Sequence, residues 1–449
     1  MENTRKLNCN GLLECVDRVL SPLLPANSSV VLGLSGGVDS IVLLHLLQHL
    51  SAKYAWRLRA LHVHHGISPQ ADAWAAFCAD RCKQAGVPLQ VEHVDIAPLR
   101  GHGIEAAARK LRHAALSRQQ ADFIALAHHR DDQAETLLLQ LLRGAGVRGA
   151  SAMPLVKYRA DCPALVRPLL DVTRSALIEY AQHHALQWIE DESNADDTYP
   201  RNFLRHRVLP LLQQRFPAYR ETLTRSTRHF AEAGELLDEL AQQDAHGAIN
   251  NGRLDVVPLR ALGVVRGKNL LRYFLMAQGA PIPDSTRLEE MLRQLCSARQ
   301  DASVCVTWQD WQVRRYRAHA FVMRTPLPPI DFSCVWMGET EMQLPPPHGV
   351  LRFQPAIGSG ISEKMLRPGT IEIRTRRGGE KMRPDMARPH RSLKKLLQEY
   401  ETLPWQRDML PLLLCDNDLV CVPGVAIAGS YKAQPDESGI AVSWQLSNR

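Results

Sequence analysis

The 449-residue chain has no run of about eighteen apolar residues, the length a helix needs to cross a bilayer, and residues 1–10 are polar where a secretory signal would be apolar. A soluble, unexported, cytoplasmic protein with no membrane partner is expected. Its ten cysteines (Cys9, Cys15, Cys78, Cys82, Cys162, Cys296, Cys305, Cys334, Cys415, Cys421) include no Cys-x-x-Cys pair. That excludes the disulfide framework of a short secreted chain and the clustered thiolates of structural zinc. Reduced, mostly buried thiols are expected, and Cys78 and Cys82, four apart beside Ala75, Ala76 and Phe77, read as one packed helical face. A G-x-x-x-x-G-K-[ST] nucleotide loop is absent too, as are internal repeats and low-complexity tracts, and the Gly36-Gly37 pair that follows the first apolar run is not part of a G-x-G-x-x-G fingerprint.

What is present is apolar material, 45% of residues, enough for two or three cores, and a formal net charge of +7 that favours an anionic partner such as a nucleotide, a nucleic acid or an anionic membrane, the plain alternative being a merely basic cytosolic protein. Up to about residue 215, short β-branched runs (29–34, 58–64, 89–94, 123–127) alternate with helical periodicity (41–50, 71–85, 103–119, 131–142). This pattern predicts a doubly wound α/β domain with a parallel sheet over 1–215. Leucine-rich, charge-laced helix follows (219–243, 285–299), with strand-like runs near Val304 and Phe321, predicting a mainly helical domain over 217–325. After 325–330 and the triple proline 345–347, short alternating runs (349–353, 370–374, 419–422) predict a small α+β domain over 345–449.

The strongest chemical signal is Ser35-Gly36-Gly37-Val38-Asp39-Ser40, between the apolar run 30–34 and the helical run 41–47. Glycines let backbone approach an anion, the N–H groups of a first helical turn point at it, and the helix terminus adds about half a positive charge. Ser35 and Ser40 add hydroxyls, and Asp39 suits a Mg²⁺ held between phosphates. The plain alternative is a serine-capped Gly-Gly turn. This hexapeptide resembles the PP-loop of the ATP pyrophosphatases, which release pyrophosphate and leave an adenylate on the substrate.

Further segments carry a narrower likeness: Leu61-His62-Val63-His64-His65-Gly66, Glu105-Ala106-Ala107-Ala108-Arg109-Lys110-Leu111-Arg112, Ala127-His128-His129-Arg130-Asp131-Asp132-Gln133-Ala134-Glu135-Thr136, Arg143-Gly144-Ala145-Gly146, Arg167-Pro168-Leu169-Leu170, Asp191-Glu192-Ser193-Asn194 and Arg201-Asn202-Phe203-Leu204-Arg205. In order and content they are similar to the tRNA(Ile)-lysidine synthases. Asp132 and Glu135, three apart at a helix start after a strand, can both face the crevice at the sheet's carboxyl edge, to hold Mg²⁺ or orient an attacking amine. A solvated acidic first turn is the alternative. Arg109 with Arg112, and Arg201 with Arg205, can each present two guanidinium groups from one helical face to phosphate or a base edge, although solvated helix arginines are commoner. The histidine spacing (His62, His64, His65, His128, His129) fits no zinc pattern and suits packing or nucleotide contact.

From Glu372 to Lys395 nine Lys or Arg face three acids, a composition suited to a phosphate backbone. This segment (Arg374, Arg376, Arg377, Lys381, Arg388, His390, Arg391, Lys394, Lys395) and the later Leu403-Pro404-Trp405-Gln406-Arg407-Asp408 resemble the C-terminal substrate domain of the same family.

The resemblance implies a cytoplasmic ATP-dependent carbon–nitrogen ligase. ATP adenylates C2 of the wobble cytidine in the CAU anticodon of a minor tRNA(Ile), and the ε-amine of free L-lysine then displaces AMP. Codon reading changes from AUG to AUA. It further implies nucleotide contacts from Ser35, Gly36, Gly37, Val38, Asp39 and Ser40, a metal on Asp39, catalytic roles for Asp39, Asp132, Glu135 and Arg201, and tRNA contacts from Arg109, Arg112, Arg205, Arg376, Arg377, Lys394 and Lys395. A homodimer is compatible with the sequence, which does not fix oligomeric state. The motif also admits a PP-loop tRNA thiolase, an amidotransferase-type synthetase and a non-catalytic RNA-binding protein.

Overall fold

The first parallel strand is written in the run Ser29–Gly33, whose centre is buried on both faces as a covered strand requires. The computed structural model describes residues 9–97, 104–159, 161–192, 196–299, 302–366, 370–387 and 389–446. Gly103, Ser193, Asn194 and Arg388 lie outside the described residues. The chain divides into two units, Met1–Leu236 and Leu237–Arg449.

In the first unit the order is α1 (Cys9–Leu20), β1 (Ser29–Gly33), α2 (Val38–Tyr54), β2 (Arg57–His64), α3 (Ala71–Ala85), β3 (Leu89–His93), α4 (Ile104–Ser117), β4 (Phe123–Ala125) and α5 (Arg130–Leu142). Then come α6 (Val147–Ala150), β5 (Val156–Arg159), β6 (Cys162–Val166), α7 (Arg174–His183), α8 (Pro200–Phe203), α9 (Leu209–Arg215) and α10 (Tyr219–Ala245), which continues past the division. The sheet order is β3-β2-β1-β4-β6-β5, parallel except for β5. The predicted doubly wound sheet is present, widened by two strands that the sequence did not announce. One face carries the core of α1, α2 and α7 with Leu32, Leu43, Leu47 and Leu177. The other packs Ala115 and Leu116 of α4 against Val31, Ile124, Leu126 and Leu165. Strand order reverses between β1 and β4, so their carboxyl ends open the crevice where ligands of such sheets bind.

In the second unit the helices Val256–Ala261, Gly263–Ala277 and Ser285–Ser297 share a core with a five-stranded antiparallel sheet that includes Cys305–Trp308, Trp311–Tyr316 and His319–Arg324. Beyond it lie a five-stranded and a four-stranded antiparallel sheet and the helix Leu393–Glu399. Trp405 stands edge-on to Phe321 with ring centroids 5.3 Å apart, and Arg407 Nη2 donates to the Tyr316 hydroxyl at 3.3 Å. Part of the Pro-Trp-x-Arg-Asp element is therefore an internal brace. No helix among the described residues is long and apolar enough to cross a membrane.

Candidate active site

Residues 34–37 carry the chain from β1 into α2 at the mouth of the crevice. Gly36 has φ +88°, and a Cβ there would lie 2.8 Å from Ile189 Cδ1 and 3.2 Å from Cys78 Sγ. Both the conformation and the space demand glycine. The Ile189 N–H donates to the Gly36 carbonyl at 2.9 Å, so residue 189 lies over the loop. Ser40 Oγ is the hub inside it, accepting from the N–H of Ser35 (3.3 Å) and Gly36 (3.1 Å) and donating to the Gly37 carbonyl at 2.9 Å. Ser35 Oγ lies 3.1 Å from it. Below, buried His62 donates from Nδ1 to the Leu34 carbonyl at 3.0 Å, which fixes its tautomer, and burial lowers its pKa.

Across the reversal, β4 delivers His128 and His129 to the start of α5. The His129 N–H donates to Asp132 Oδ2 at 3.0 Å, capping the helix. Its imidazole, 2% exposed, places Nε2 3.6 Å from Asp39 Oδ2 and 3.5 Å from Asp132 Oδ2, with Nδ1 3.8 Å from Asp131 Oδ2. Burial disfavours the imidazolium, but the carboxylates of Asp132, Asp39 and Asp131 more than offset this, and its pKa is raised. His128 behaves oppositely: burial dominates and pulls it down to about 3, so it is neutral.

Glu135, 1% exposed, sits one helical turn beyond Asp132. Arg201 Nε donates to Glu135 Oε2 at 2.6 Å and its Nη2 to Asp132 Oδ1 at 2.7 Å. Arg205 Nε donates to Glu135 Oε1 at 2.7 Å and Nη2 to Oε2 at 3.0 Å. Burial raises the Asp132 carboxyl, yet His129 and Arg201 overcome it and hold the group well below the usual carboxylate range. Asp131, in turn, takes the Arg174 N–H at 3.0 Å and Arg220 Nε, anchoring the start of α5 to α7 and α10.

Asp39, Asp132, Glu135, Arg201 and Arg205 thus form one cluster beside Ser35–Ser40. Arg109 and Arg112 stand exposed on α4. Arg376, Arg377, Lys394 and Lys395 belong to the second unit. There Glu380 accepts from the N–H of Arg377 (2.7 Å) and Gly378 (3.0 Å), and its carbonyl takes the Leu393 N–H at 2.9 Å. This ties the 376–380 loop to the helix bearing exposed Lys394 and Lys395. Arg377 is exposed, whereas half-buried Arg376 has Nη1 3.8 Å from Asp408. The centrality of His129 was not evident from the sequence, where it reads as one histidine of a pair. Its position directly before a helix that follows a strand was the available signal.

The donor set suits Mg²⁺ at one carboxylate. Asp39 Oδ1 is buried with no hydrogen-bond partner, while both oxygens of Asp132 and of Glu135 are engaged by protein donors. Mg²⁺ commonly takes one or two carboxylates and completes its shell with water and substrate phosphates. Among the described residues no three His, Cys, Asp or Glu side chains are grouped to hold a metal by themselves. Cys78 and Cys82 are free and buried, their thiols pushed up by burial to about 12 and about 11, as expected of inert packing residues.

Residues 12–212 match the model of a PP-loop domain, 254–321 that of a TilS substrate binding domain and 371–444 that of a TilS substrate C-terminal domain. The chain is 42% identical to the tRNA(Ile)-lysidine synthase of Nitrosomonas europaea, over 100% of this chain and 98% of that protein. It is 39% identical to the tRNA(Ile)-lysidine synthase of Escherichia coli O157:H7, over 95% and 98%. Among solved structures, the U34-tRNA thiolase NcsA from Methanococcus maripaludis matches 50% of this chain and 79% of its own at 18% identity, with a TM-score of 0.43.

Proposed function

The chain belongs to the tRNA(Ile)-lysidine synthase family, and from that premise we propose that it is an ATP-dependent carbon–nitrogen ligase acting on the wobble cytidine of a CAU-anticodon tRNA(Ile). The observation that supports this site assignment best is the convergence of Asp39 and Asp132 on one buried imidazole beside the Ser35–Ser40 loop.

In the first step the cytosine O2 bonds to the α-phosphorus of ATP and the bond to the β-phosphate oxygen breaks, releasing pyrophosphate. The loop amides and the N-terminus of α2 neutralise the triphosphate. Asp39 would hold a Mg²⁺, which supplies further charge neutralisation when bound. In the second step the lysine ε-ammonium loses one proton to water, its nitrogen bonds to C2, the C2–O2 bond breaks as AMP leaves with that oxygen, and a second proton passes from the nitrogen to water, leaving one N–H in the product. Asp132, kept ionised, attracts the cationic lysine. Glu135, spent on two guanidinium groups, positions Arg201 and Arg205 rather than accepting a proton. Arg109 and Arg112 serve the RNA.

In this reading residues 1–215 carry the chemistry, 217–325 contribute to substrate binding, and the basic loop and helix within 345–449 contact the phosphate backbone. The site of action is the cytoplasm, and a homodimer is tested by sedimentation. Incubation with ATP, labelled lysine and total tRNA, followed by nucleoside analysis, should give labelled lysidine. A labelled-lysine-free, thiolated nucleoside formed only with a sulfur donor would replace this assignment with the thiolase one.

A further inference from the structure

β6 ends at Val166, and the Leu126 N–H donates to the Val166 carbonyl at 2.9 Å, so Arg167 lies beside the carboxyl end of β4. Side chains alternate along a strand, and Leu165 points into the α4-side core, so Arg167, two residues on, points to that side as well. On α4 itself Arg109, Arg112 and Leu116 fall at i, i+3 and i+7, a single face whose foot, Leu116, packs with Leu126 and Leu165. Arg167 is therefore the floor, and exposed Arg109 and Arg112 the rim, of a basic recess at the carboxyl edge of the sheet.

The floor is an expensive place for a cation. Arg167 is 5% exposed, yet among the described residues its guanidinium makes only a bond from Nη1 to the Pro154 carbonyl at 2.8 Å, and Nε is buried with no partner there. Burial and the neighbouring charges of Arg109 and Arg159 pull it down to about 10, so it stays protonated at neutral pH. His113, half-buried on the same helix, is pulled down to about 4 by burial and by Arg109, Arg112, Arg167 and Arg159. The charges acting on both groups are cationic. An unpaired buried charge costs several kcal/mol on general grounds, a cost that an incoming anion offsets.

We infer that Arg167, with Arg109, forms a phosphate-binding subsite on the α4 side of the adenylation centre, separate from the Ser35–Ser40 loop. The planar guanidinium fork matches a phosphate group. Its source is either the RNA backbone next to the target base or a phosphate of the nucleotide. This inference rests on the proposed function only for the identity of that source.

The full-length protein and its Arg167→Leu and Arg167→Lys variants separate the cases; the lysine retains a donor for Pro154. Equilibrium binding of a CAU anticodon stem–loop RNA should weaken about tenfold or more in Arg167→Leu, with the slope of log K against log salt reduced by about 0.7 to 0.9 and ATP affinity unchanged. Loss of ATP or pyrophosphate affinity with RNA binding intact also supports the subsite and assigns it to the nucleotide. Inorganic phosphate should raise the denaturation midpoint of the wild type more than that of either variant. This measurement holds whatever reaction the chain performs, so it fails separately from the proposed function. Wild-type affinities, salt slope and phosphate response in Arg167→Leu would overturn the subsite, and a loss in Arg167→Leu of stability alone, restored by Arg167→Lys with RNA, nucleotide and phosphate binding unaltered throughout, would leave Arg167 as a strut for Pro154.

Discussion

Arg205 grips Glu135 through two parallel bonds, Nε to Oε1 at 2.7 Å and Nη2 to Oε2 at 3.0 Å, although 70 residues separate them. Because Glu135 is buried, removing its charge leaves two guanidinium groups with Asp132 as their remaining carboxylate. Glu135→Gln should cost about 3 to 5 kcal/mol of stability as well as suppressing lysidine formation. Denaturant titration alongside a product assay checks both, and a variant with unchanged stability and activity would return Glu135 to a passive helix position.

Asp39→Asn removes the carboxylate with the unpartnered oxygen but leaves the basic surfaces untouched. Pyrophosphate release should fall on the order of a hundredfold or more, with RNA affinity nearly unchanged. Near-normal release would sink the metal and nucleotide roles given to this residue.

Gly36→Ala faces two penalties, a left-handed φ costing about 1 to 2 kcal/mol and an approach of 2.8 Å to Ile189. Nucleotide binding should weaken with stability. An additional Ile189→Ala change should relieve the steric part alone, so the double variant is expected to recover part of the lowered midpoint.

His45 on α2 bonds Tyr180 of α7 at 2.9 Å and is pulled down by burial, with help from His49 and His184, from 6.5 to about 4. Between those values the unfolded chain binds the proton more readily. The contribution of His45 is complete above about pH 6.5 and is lost as the pH falls toward 4. His45→Gln should flatten the decline of the denaturation midpoint over that window, and an unchanged profile would assign the decline to other groups.

Neutralising Arg377, Lys394 and Lys395 should lower RNA affinity and flatten its salt dependence by about 0.7 to 0.9 in slope for every phosphate that is no longer neutralised. Adding Arg376→Gln should change the slope less, because that side chain is half-buried near Asp408. A triple variant with the wild-type slope would remove this surface from the RNA interface.

The parallel strands were legible because strands covered on both faces are continuous apolar runs, as in 30–34 and 123–127. Ser35–Ser40 was legible because only glycine serves at Gly36. The strands Val156–Arg159 and Cys162–Val166 were not: the first is a solvated edge reading Val-Lys-Tyr-Arg, and the second begins with Cys-Pro. Helix α2 starts at Val38, before the periodic run, since Gly37 is its N-cap, and this puts Asp39 and Ser40 in the first turn. The i, i+3 spacing placed Asp132 and Glu135 on one face, but no local pattern announces that Arg201 and Arg205 fold back onto them. That pairing depends on tertiary packing.

Ser40 acts as a placeholder. Its hydroxyl accepts the Ser35 and Gly36 N–H groups that a phosphate would otherwise claim, so the loop holds its shape with these two donors already engaged. For these two donors nucleotide entry is then a trade of one acceptor for another rather than a gain of new bonds. The net advantage comes from the charge of the phosphate, since charge-assisted bonds are roughly twice as strong as neutral ones. A neutral ligand of the same shape gains little from that trade, and the loop therefore reads charge before it reads form.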